Sequence, residues 1–155
     1  MGEKLKAAPT PDKDCSDFFL DPEFAKHPGI KLPSAIFTAH RGKILSFVSG
    51  KSISIAFPVS ELQTNPIGTL QGGILSSFFD ETFGCLSFAS LHKPCVTIDM
   101  TVNFIRFMRP GEIVVIRAEF KARGRKLLQL LAEAYNEKEK LVATATSNWI
   151  PYEMI

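Results

Sequence analysis

The sequence predicts an α+β fold in which one antiparallel sheet curls around a single long helix. The first indication is a long helical pattern that begins near Gly72 and ends near Leu91. The second is a set of four long alternating runs after it, joined only by short turns, because strands joined in this way pair antiparallel. The third is size, since 155 residues that are 45% hydrophobic suffice for one domain with an ordinary core.

The chain divides into an N-terminal segment and one domain. Residues 1–13 are poor in apolar side chains, and we expect them to form a frayed tail. Residues 16–26 carry three Phe and predict a short helix that is interrupted or initiated at Asp21-Pro22. We therefore assign residues 1–32 to a tail with this short helix and residues 33–155 to the domain.

Alternating apolar and polar residues predict seven strands, three before the long helix and four after it. A loop over Pro58–Leu70 connects the two groups. The predicted strands are Ala35–Ala39, Lys43–Ser49 and Ser52–Phe57, followed by Val96–Phe107, Glu112–Ala122, Leu127–Asn136 and Leu141–Ile150.

The long helix carries two stripes. Its apolar stripe recurs at steps of three and four residues and predicts the face that packs in the core. The second stripe is small and polar and contains Asp80. A carboxylate on a helix is usually just solvated, but small neighbours would let a ligand or a second backbone approach it. The apolar stripe is Ile74, Leu75, Phe78, Phe79, Phe83, Leu86 and Ala89, and the small one is Gly73, Ser77, Asp80, Gly84 and Ser87.

Composition excludes several classes of function. The formal net charge is only +2, and no arginine-rich tract or zinc-ligand spacing is present, so a nucleic-acid surface is not indicated. The three cysteines (Cys15, Cys85 and Cys95) show no CxxC pairing, which favours a reducing, cytoplasmic location, and Cys85 is expected in the core. The three histidines (His27, His40 and His92) lack ligand spacing and are expected on the surface or in loops, so no metal is expected. Thirteen Phe predict an unusually aromatic interior or binding tunnel.

Three sequence features together resemble one known family. They are the run Asn65–Gly73, the acid Asp80 seven residues after the second glycine, and Thr97-Ile98-Asp99 on the next predicted strand. With the order of the predicted elements, they are similar to the hotdog-fold acyl-CoA thioesterases of the PaaI type, within the 4-hydroxybenzoyl-CoA thioesterase superfamily. The resemblance covers about residues 33–150. It implies a curled antiparallel sheet around a central helix and hydrolysis of an acyl-CoA thioester.

The resemblance also implies a role for each matching residue. Asp80 would act as general base on water or as nucleophile, and Thr97 would orient the attacking water with it. The backbone N–H of Gly72 would polarise the thioester carbonyl, and Asn65 would help to bind that carbonyl. Many relatives carry His before the glycine pair, where this chain has Gln71. Glutamine can position a carbonyl by hydrogen bonding but cannot transfer a proton near neutral pH.

Elementary chemistry agrees with these roles. Thioester hydrolysis builds negative charge on the carbonyl oxygen, and a helix N-terminus offers free N–H groups and the positive end of a dipole. Glycine removes the side chain that would block this approach, although Gly72-Gly73 could equally serve close packing at the helix entry. Glu81 is the nearest rival to Asp80 as base. It lies about 100° further around the helix and is expected to face elsewhere.

Further candidates for substrate binding are several basic residues and two residues next to Gly72 and Asp80 in the sequence. The hairpin tip Arg123-Gly124-Arg125-Lys126, with Arg106 and Arg109, could contact the phosphates of coenzyme A, although basic hairpin tips are usually only solvated. Gly73 and Glu81 complete the predicted substrate-binding residues. No cofactor is expected beyond the coenzyme A of the substrate itself.

One alternative remains beside the thioesterase. It is a non-catalytic module that binds acyl-CoA or an acyl carrier, which the presence of Gln71 keeps open. A hotdog hydratase is set aside, because its pattern has Asp and His flanking the Asn-Pro pair. Gln63 and Ile67 stand at those positions, so the acid–base pair of a hydratase is missing.

The spacing of the catalytic candidates predicts a dimer. Gly72 and Asp80 are eight residues apart, which is about 12 Å along a helix. A base, its water and a carbonyl must meet at hydrogen-bond distances of about 3 Å. We therefore expect a two-fold partner with an antiparallel helix to bring its own Asp80 beside this chain's Gly72. The resemblance likewise implies a homodimer or a dimer of dimers.

Overall fold

A computed structural model describes residues 15–27 and 29–152 of the chain. Its six strands form one antiparallel sheet in the order β1-β2-β4-β5-β6-β3. They are β1 (Lys43–Val48), β2 (Ser52–Pro58), β3 (Cys95–Phe104), β4 (Ile113–Arg123), β5 (Leu128–Tyr135) and β6 (Leu141–Pro151). The α-helices are α1 (Ala35–Ala39) and α2 (Gly72–Leu91), and short 3-10 helices span Cys15–Leu20, Phe24–Lys26 and Glu61–Gln63. The predicted α+β architecture is therefore confirmed.

Helix α2 packs its apolar face against the sheet. Phe78, Phe79, Phe83 and Leu86 are fully buried, and each such side chain contributes about 1.5–3 kcal/mol through burial. The Phe78 ring stacks on Phe57 of β2 with 4.4 Å between ring centroids. Burial of this face fixes the rotation of α2 about its axis and so determines where the small polar stripe points.

The predicted strand Ala35–Ala39 is wrong, because this segment is helix α1. The Ser34 hydroxyl caps it by accepting a hydrogen bond from the Phe37 N–H at 3.0 Å. Phe37 is buried at 4% exposure while Ile36 is 46% exposed. The next buried residue is His40, three positions on, and that spacing belongs to a helix rather than to a strand.

The helix predicted over residues 16–26 is found at that position, but as a different kind of helix. Two 3-10 helices, Cys15–Leu20 and Phe24–Lys26, replace the single short helix, with Asp21-Pro22 between them. Their Phe18, Phe19 and Phe24 side chains pack against the domain. The predicted tail over residues 1–13 lies outside the described residues.

Strand β3 lies at one edge of the sheet and exposes much of its surface. Ile98 is 54% exposed and Phe104 is 56% exposed. The pairing with β6 shifts register between Thr97 and Asp99, which makes Ile98 the extra residue of a β-bulge. Within the described part of the chain, no helix is long and apolar enough to cross a membrane.

Candidate active site

The predicted acid and hydroxyl are in direct contact. The Thr97 Oγ1 donates a hydrogen bond to Asp80 Oδ1 at 2.7 Å. The bulge at Ile98 makes this possible, because a bulge re-aims the side chains on either side of it. Thr97 points at α2, while the carboxylate of Asp99 accepts hydrogen bonds from the Asn148 side chain at 2.9 and 3.0 Å. This hydrogen bond joins α2 to the edge strand β3.

Glu81 does not face away from Asp80, contrary to the prediction. Both carboxylates line one cavity, and Glu81 Oε2 accepts a hydrogen bond from the Ser34 hydroxyl at 2.9 Å. Burial raises the pKa of Glu81, the Ser34 hydrogen bond lowers it, and the negative charge of Asp80 adds to the rise. Asp80 and Glu81 still lie about 100° apart around α2, but the cavity is wide enough for both side chains to line it.

This cavity has a volume of about 220 Å³ and is walled mainly by apolar side chains. Three parts of the chain contribute to it: helix α2, the strand residues Cys95 and Trp149, and the segment before β1. We name residues 17–27 and 29–37 the N-terminal arm. Its lining residues are Phe18, Phe19, Phe24, Leu32, Ser34 and Phe37, and those of α2 are Asp80, Glu81, Gly84, Cys85 and Phe88.

The cavity contains residues that the sequence did not single out. Ser34, Trp149 and the arm phenylalanines were not predicted as site residues, although the high Phe content was a signal of an aromatic tunnel. Cys85 lines the cavity, and its side chain is partly exposed. Burial of the thiol and the negative charge of Glu81 raise the pKa of Cys85. A thiol held in its neutral form is a poor nucleophile.

The predicted carbonyl-binding residues lie at the start of α2, in a separate depression. Asn65 and Gly72 line it together with Phe104 and Arg106. Asn65 accepts hydrogen bonds from the Ile67 and Thr69 N–H groups, each at 3.1 Å, and so shapes the loop before the helix. The Gly72 N–H has no hydrogen-bond acceptor among the described residues, as expected for the first turn of a helix.

Gln71 is the N-cap of α2. Its Oε1 accepts a hydrogen bond from the Ile74 N–H at 2.9 Å. A Cβ on Gly73 would lie 2.8 Å from that oxygen, so Gly73 leaves room for the cap. A Cβ on Gly72 would lie 3.2 Å from the Phe104 ring. The glycine pair thus serves both close packing and access to the free N–H groups.

Within one chain, the Asp80–Thr97 pair lies far from the free N–H groups at the start of α2. Helix α2 runs unbroken from Gly72 to Leu91, so Gly72 and Asp80 are separated by about 12 Å along its axis. The acid and its hydroxyl partner lie at one place, and the free N–H groups lie at the other.

The predicted basic residues do not form one cluster. Arg123, Arg125 and Lys126 line a groove of about 720 Å³ with Lys93, at the C-terminal end of α2. Arg106 lies at the opposite end, where its guanidinium donates to the Leu141 carbonyl. The guanidinium of Arg109 lies over the Phe107 ring, 5.1 Å from its centroid. Among the basic residues that the sequence predicted for the site, those of the hairpin tip are the ones that the structure brings together.

His40 lies in a turn, as predicted, but it is buried rather than on the surface. Its Nε2 contacts Ser77 Oγ at 3.3 Å, and its Nδ1 contacts the Gln63 amide nitrogen at 3.1 Å. Because the amide donates to Nδ1, the proton of the neutral ring sits on Nε2 and points at Ser77. Burial lowers the pKa of His40, so the ring stays neutral and does not activate the serine. The part of the chain that the structure describes holds no group of three or more His, Cys, Asp or Glu side chains that could bind a metal.

Solved structures with this architecture include several thioesterase-like proteins. The PaaI protein of the phenylacetic acid degradation operon of E. coli has a TM-score of 0.74 at 21% identity, over 78% of this chain and 86% of that one. A phenylacetic acid degradation-related protein from Ralstonia eutropha JMP134 has a TM-score of 0.72 at 27% identity, over 83% and 98%. The smu.793 protein of Streptococcus mutans UA159, solved with acetyl-CoA, has a TM-score of 0.69 at 19% identity, over 81% and 95%.

The sequence itself matches a family profile. A comparison with curated proteins found no match, but residues 67–143 match the profile of the Thioesterase superfamily. This range contains Gly72, Asp80 and Thr97 and most of the sheet. Together with the shared architecture, the match assigns the fold as well as the family. The chain belongs to the Thioesterase superfamily and has the hotdog fold, with structural similarity to PaaI-type thioesterases at about 20–27% identity.

Proposed function

We propose that this protein hydrolyses an acyl-CoA thioester to the free acid and coenzyme A. The observation that carries the proposal is the hydrogen bond of 2.7 Å from Thr97 to Asp80, a residue that lines an apolar cavity. A carboxylate held by a hydroxyl, beside space for an acyl group, is suited to directing water at a carbonyl carbon. Family membership supports the same reaction.

In the proposed reaction Asp80 acts as general base. It takes a proton from water while the water oxygen bonds to the thioester carbonyl carbon, and negative charge moves to the carbonyl oxygen. The Gly72 N–H donates to that oxygen at the positive end of the helix dipole. When the intermediate collapses, the C–S bond breaks, and the thiolate takes the proton that Asp80 holds. Direct attack by Asp80 as nucleophile remains the alternative route to the same products.

The site requires two subunits in this proposal. A base and an oxyanion donor must meet at hydrogen-bond distance, yet Asp80 and Gly72 of one chain are about 12 Å apart along α2. Strand β3 offers a surface for the partner, since it is an edge strand that exposes Ile98 and Phe104. Pairing along this edge would bury apolar surface and close an open row of backbone groups. Two equivalent sites per dimer follow from the symmetry.

The other predicted residues have supporting roles in this proposal. Asn65 and Gln71 lie near Gly72 and would position the thioester. The amide nitrogen of Gln71 has no acceptor among the described residues, so it is free to donate while its oxygen caps the helix. Arg123, Arg125 and Lys126 would attract the phosphates of coenzyme A into their groove. The acetyl-CoA held by the Streptococcus mutans protein supports a CoA ligand.

Release of free thiol from a panel of acyl-CoA thioesters tests the proposal, with binding measured in parallel by calorimetry. Hydrolysis of at least one thioester is the expected result. Binding without thiol release would instead support a non-catalytic acyl-CoA module, the alternative that Gln71 in place of histidine keeps open. An acyl-carrier thioester in the same panel identifies which carrier the protein uses.

A further inference from the structure

We propose that the N-terminal arm forms the end wall of the acyl pocket and sets the largest acyl group that the protein accepts. The inference rests on the proposed thioesterase function, because it takes the cavity beside Asp80 as the place of the acyl group. It assigns a specificity role to residues that precede the stretch matching the family profile, which begins at residue 67.

The arm supplies nearly half of the cavity lining. Phe18, Phe19 and Phe24 line the same cavity as Asp80 of α2. A thioester presented to Asp80 would therefore extend its acyl group towards these rings. Because the rings are apolar, they favour an uncharged acyl group.

Several contacts hold the arm in place. The Phe24 ring stacks on Phe88 of α2 at 5.1 Å, and the Phe18 ring meets Phe47 of β1 edge-on at 5.1 Å. The hydroxyl of Ser34 bonds to Glu81 at 2.9 Å and links the end of the arm to α2. The wall is therefore built from packed side chains, and its position limits the length of the cavity.

The volume indicates the size of the acyl group. An apolar cavity of about 150 Å³ accommodates benzene, and this cavity measures about 220 Å³. It suits one aromatic ring with a short linker or a linear chain of similar volume. A long fatty acyl chain would require the arm to move.

Two substitutions change the cavity in opposite directions. Phe19→Ala removes a ring from the arm wall and lengthens the cavity. Gly84→Ala adds a methyl group that would lie 3.4 Å from the Trp149 ring, which is an ordinary contact, and so narrows it. Alanine also stabilises a helix interior by about 1 kcal/mol relative to glycine, so this variant should fold. Phe120→Ala serves as a control, since Phe120 packs against the same core outside the cavity.

The experiment measures kcat/KM for acyl-CoA thioesters of increasing size, from acetyl through benzoyl and octanoyl to palmitoyl, in the wild type and the three variants. One methylene in an apolar pocket changes kcat/KM by about tenfold or more. We expect the palmitoyl-to-acetyl ratio to rise at least tenfold in Phe19→Ala. The benzoyl-to-acetyl ratio should fall about tenfold in Gly84→Ala, and both ratios should stay constant in Phe120→Ala.

Failure of this inference and failure of the proposed function give different results. If the wild type releases no thiol from any thioester, the thioesterase function fails, and dissociation constants for the same series then test the arm with the same expected ratios. If the wild type accepts palmitoyl as well as benzoyl, or if folded Phe19→Ala and Gly84→Ala keep the wild-type ratios, the arm does not set the acyl size. Circular dichroism and thermal melting establish that each variant is folded.

Discussion

The hydroxyl of Thr97 on β3 donates a hydrogen bond of 2.7 Å to Asp80 Oδ1 on α2. The two residues are 17 positions apart in sequence, and they meet because a bulge at Ile98 turns Thr97 towards the helix. The bond occupies one carboxylate oxygen. The other oxygen, Oδ2, has no partner within the described residues, so it is free to accept a proton from water.

Replacing Asp80 by Asn removes the proposed base and preserves its shape. We expect turnover to fall by about 10² or more, because general base catalysis contributes about that much. Binding of acyl-CoA and the melting temperature should change little. The measurement is kcat with the best thioester of the panel, with Glu81→Gln as the matched carboxylate control. An Asp80→Asn variant with wild-type turnover would reject Asp80 as the catalytic acid and make Glu81 the next candidate.

The Thr97 hydroxyl can be removed without changing side-chain size by the substitution Thr97→Val. A hydrogen bond to a charged group contributes about 1.5–3 kcal/mol, so kcat should decrease by about 10- to 100-fold. Thr97→Ser keeps the hydroxyl and should retain most of the activity. Equal activity in the Val and Ser variants would show that the bond does not position Asp80.

Gln71 has two roles that a pair of variants can separate. Gln71→Ala removes the helix cap and the amide donor, whereas Gln71→Ser restores a capping oxygen without the amide. Loss of a cap costs about 1 kcal/mol, so thermal melting should show destabilisation in the Ala variant and recovery in the Ser variant. A modest decrease in kcat/KM in both variants would assign substrate positioning to the amide.

Gln71→His is the third member of this series. We expect it to be tolerated or to increase turnover, since imidazole can donate to a carbonyl and can also transfer a proton. A folded His variant without any activity would mean that the local geometry departs from that of PaaI-type relatives.

The raised pKa of Glu81 predicts a specific dependence of the protein's stability on pH. Burial raises its pKa above the ordinary value of 4.5, so the folded state binds the proton more tightly than the unfolded state. The stability that Glu81 contributes is therefore fully present below pH 4.5 and is lost as pH rises through the higher folded-state pKa. Glu81→Gln should stabilise the protein relative to wild type at pH 7 to 8, and this advantage should vanish towards pH 4.

Thermal melts of wild type and Glu81→Gln between pH 4 and pH 8 measure this difference. Ser34→Ala is the control, because it removes the hydroxyl that favours the charged carboxylate. The Ser34→Ala variant should therefore lose more stability near neutral pH than in acid. A difference between Glu81→Gln and wild type that is constant over this range would contradict a raised pKa.

Mixing two inactive variants tests the shared site. Asp80→Ala lacks the base, and Gly72→Pro lacks one N–H at a position of the helix where proline is tolerated. Each homodimer should be nearly inactive. Random exchange makes half of the dimers mixed, and each mixed dimer has one intact site of two, so roughly a quarter of wild-type activity should return. If mass spectrometry shows exchange and no activity returns, the sites are not shared.

The sequence by itself determined the long helix, the four strands after it and the residues of the acid–hydroxyl pair. These features are encoded locally: the apolar spacing defines the helix, the alternation defines the strands, and the fixed intervals from the glycine pair to Asp80 and then to Thr97 carry the motif. The separation of Gly72 from Asp80 also follows from sequence, because helical rise depends only on the number of residues between them.

Tertiary structure decided what local pattern could not. Ala35–Ala39 alternates like a strand, yet a cap at Ser34 and burial of Phe37 make it helix α1. Glu81 shares the cavity of Asp80 because the N-terminal arm and Trp149 contribute the other walls of one cavity that both residues line. Spacing along one helix does not predict what packs against that helix. The predicted basic residues lie apart for a similar reason. Arg106 comes after β3 and Arg123 ends β4, and the two residues lie near opposite ends of α2. Contacts between distant segments depend on how the sheet curls, and that curl exists only in the folded chain.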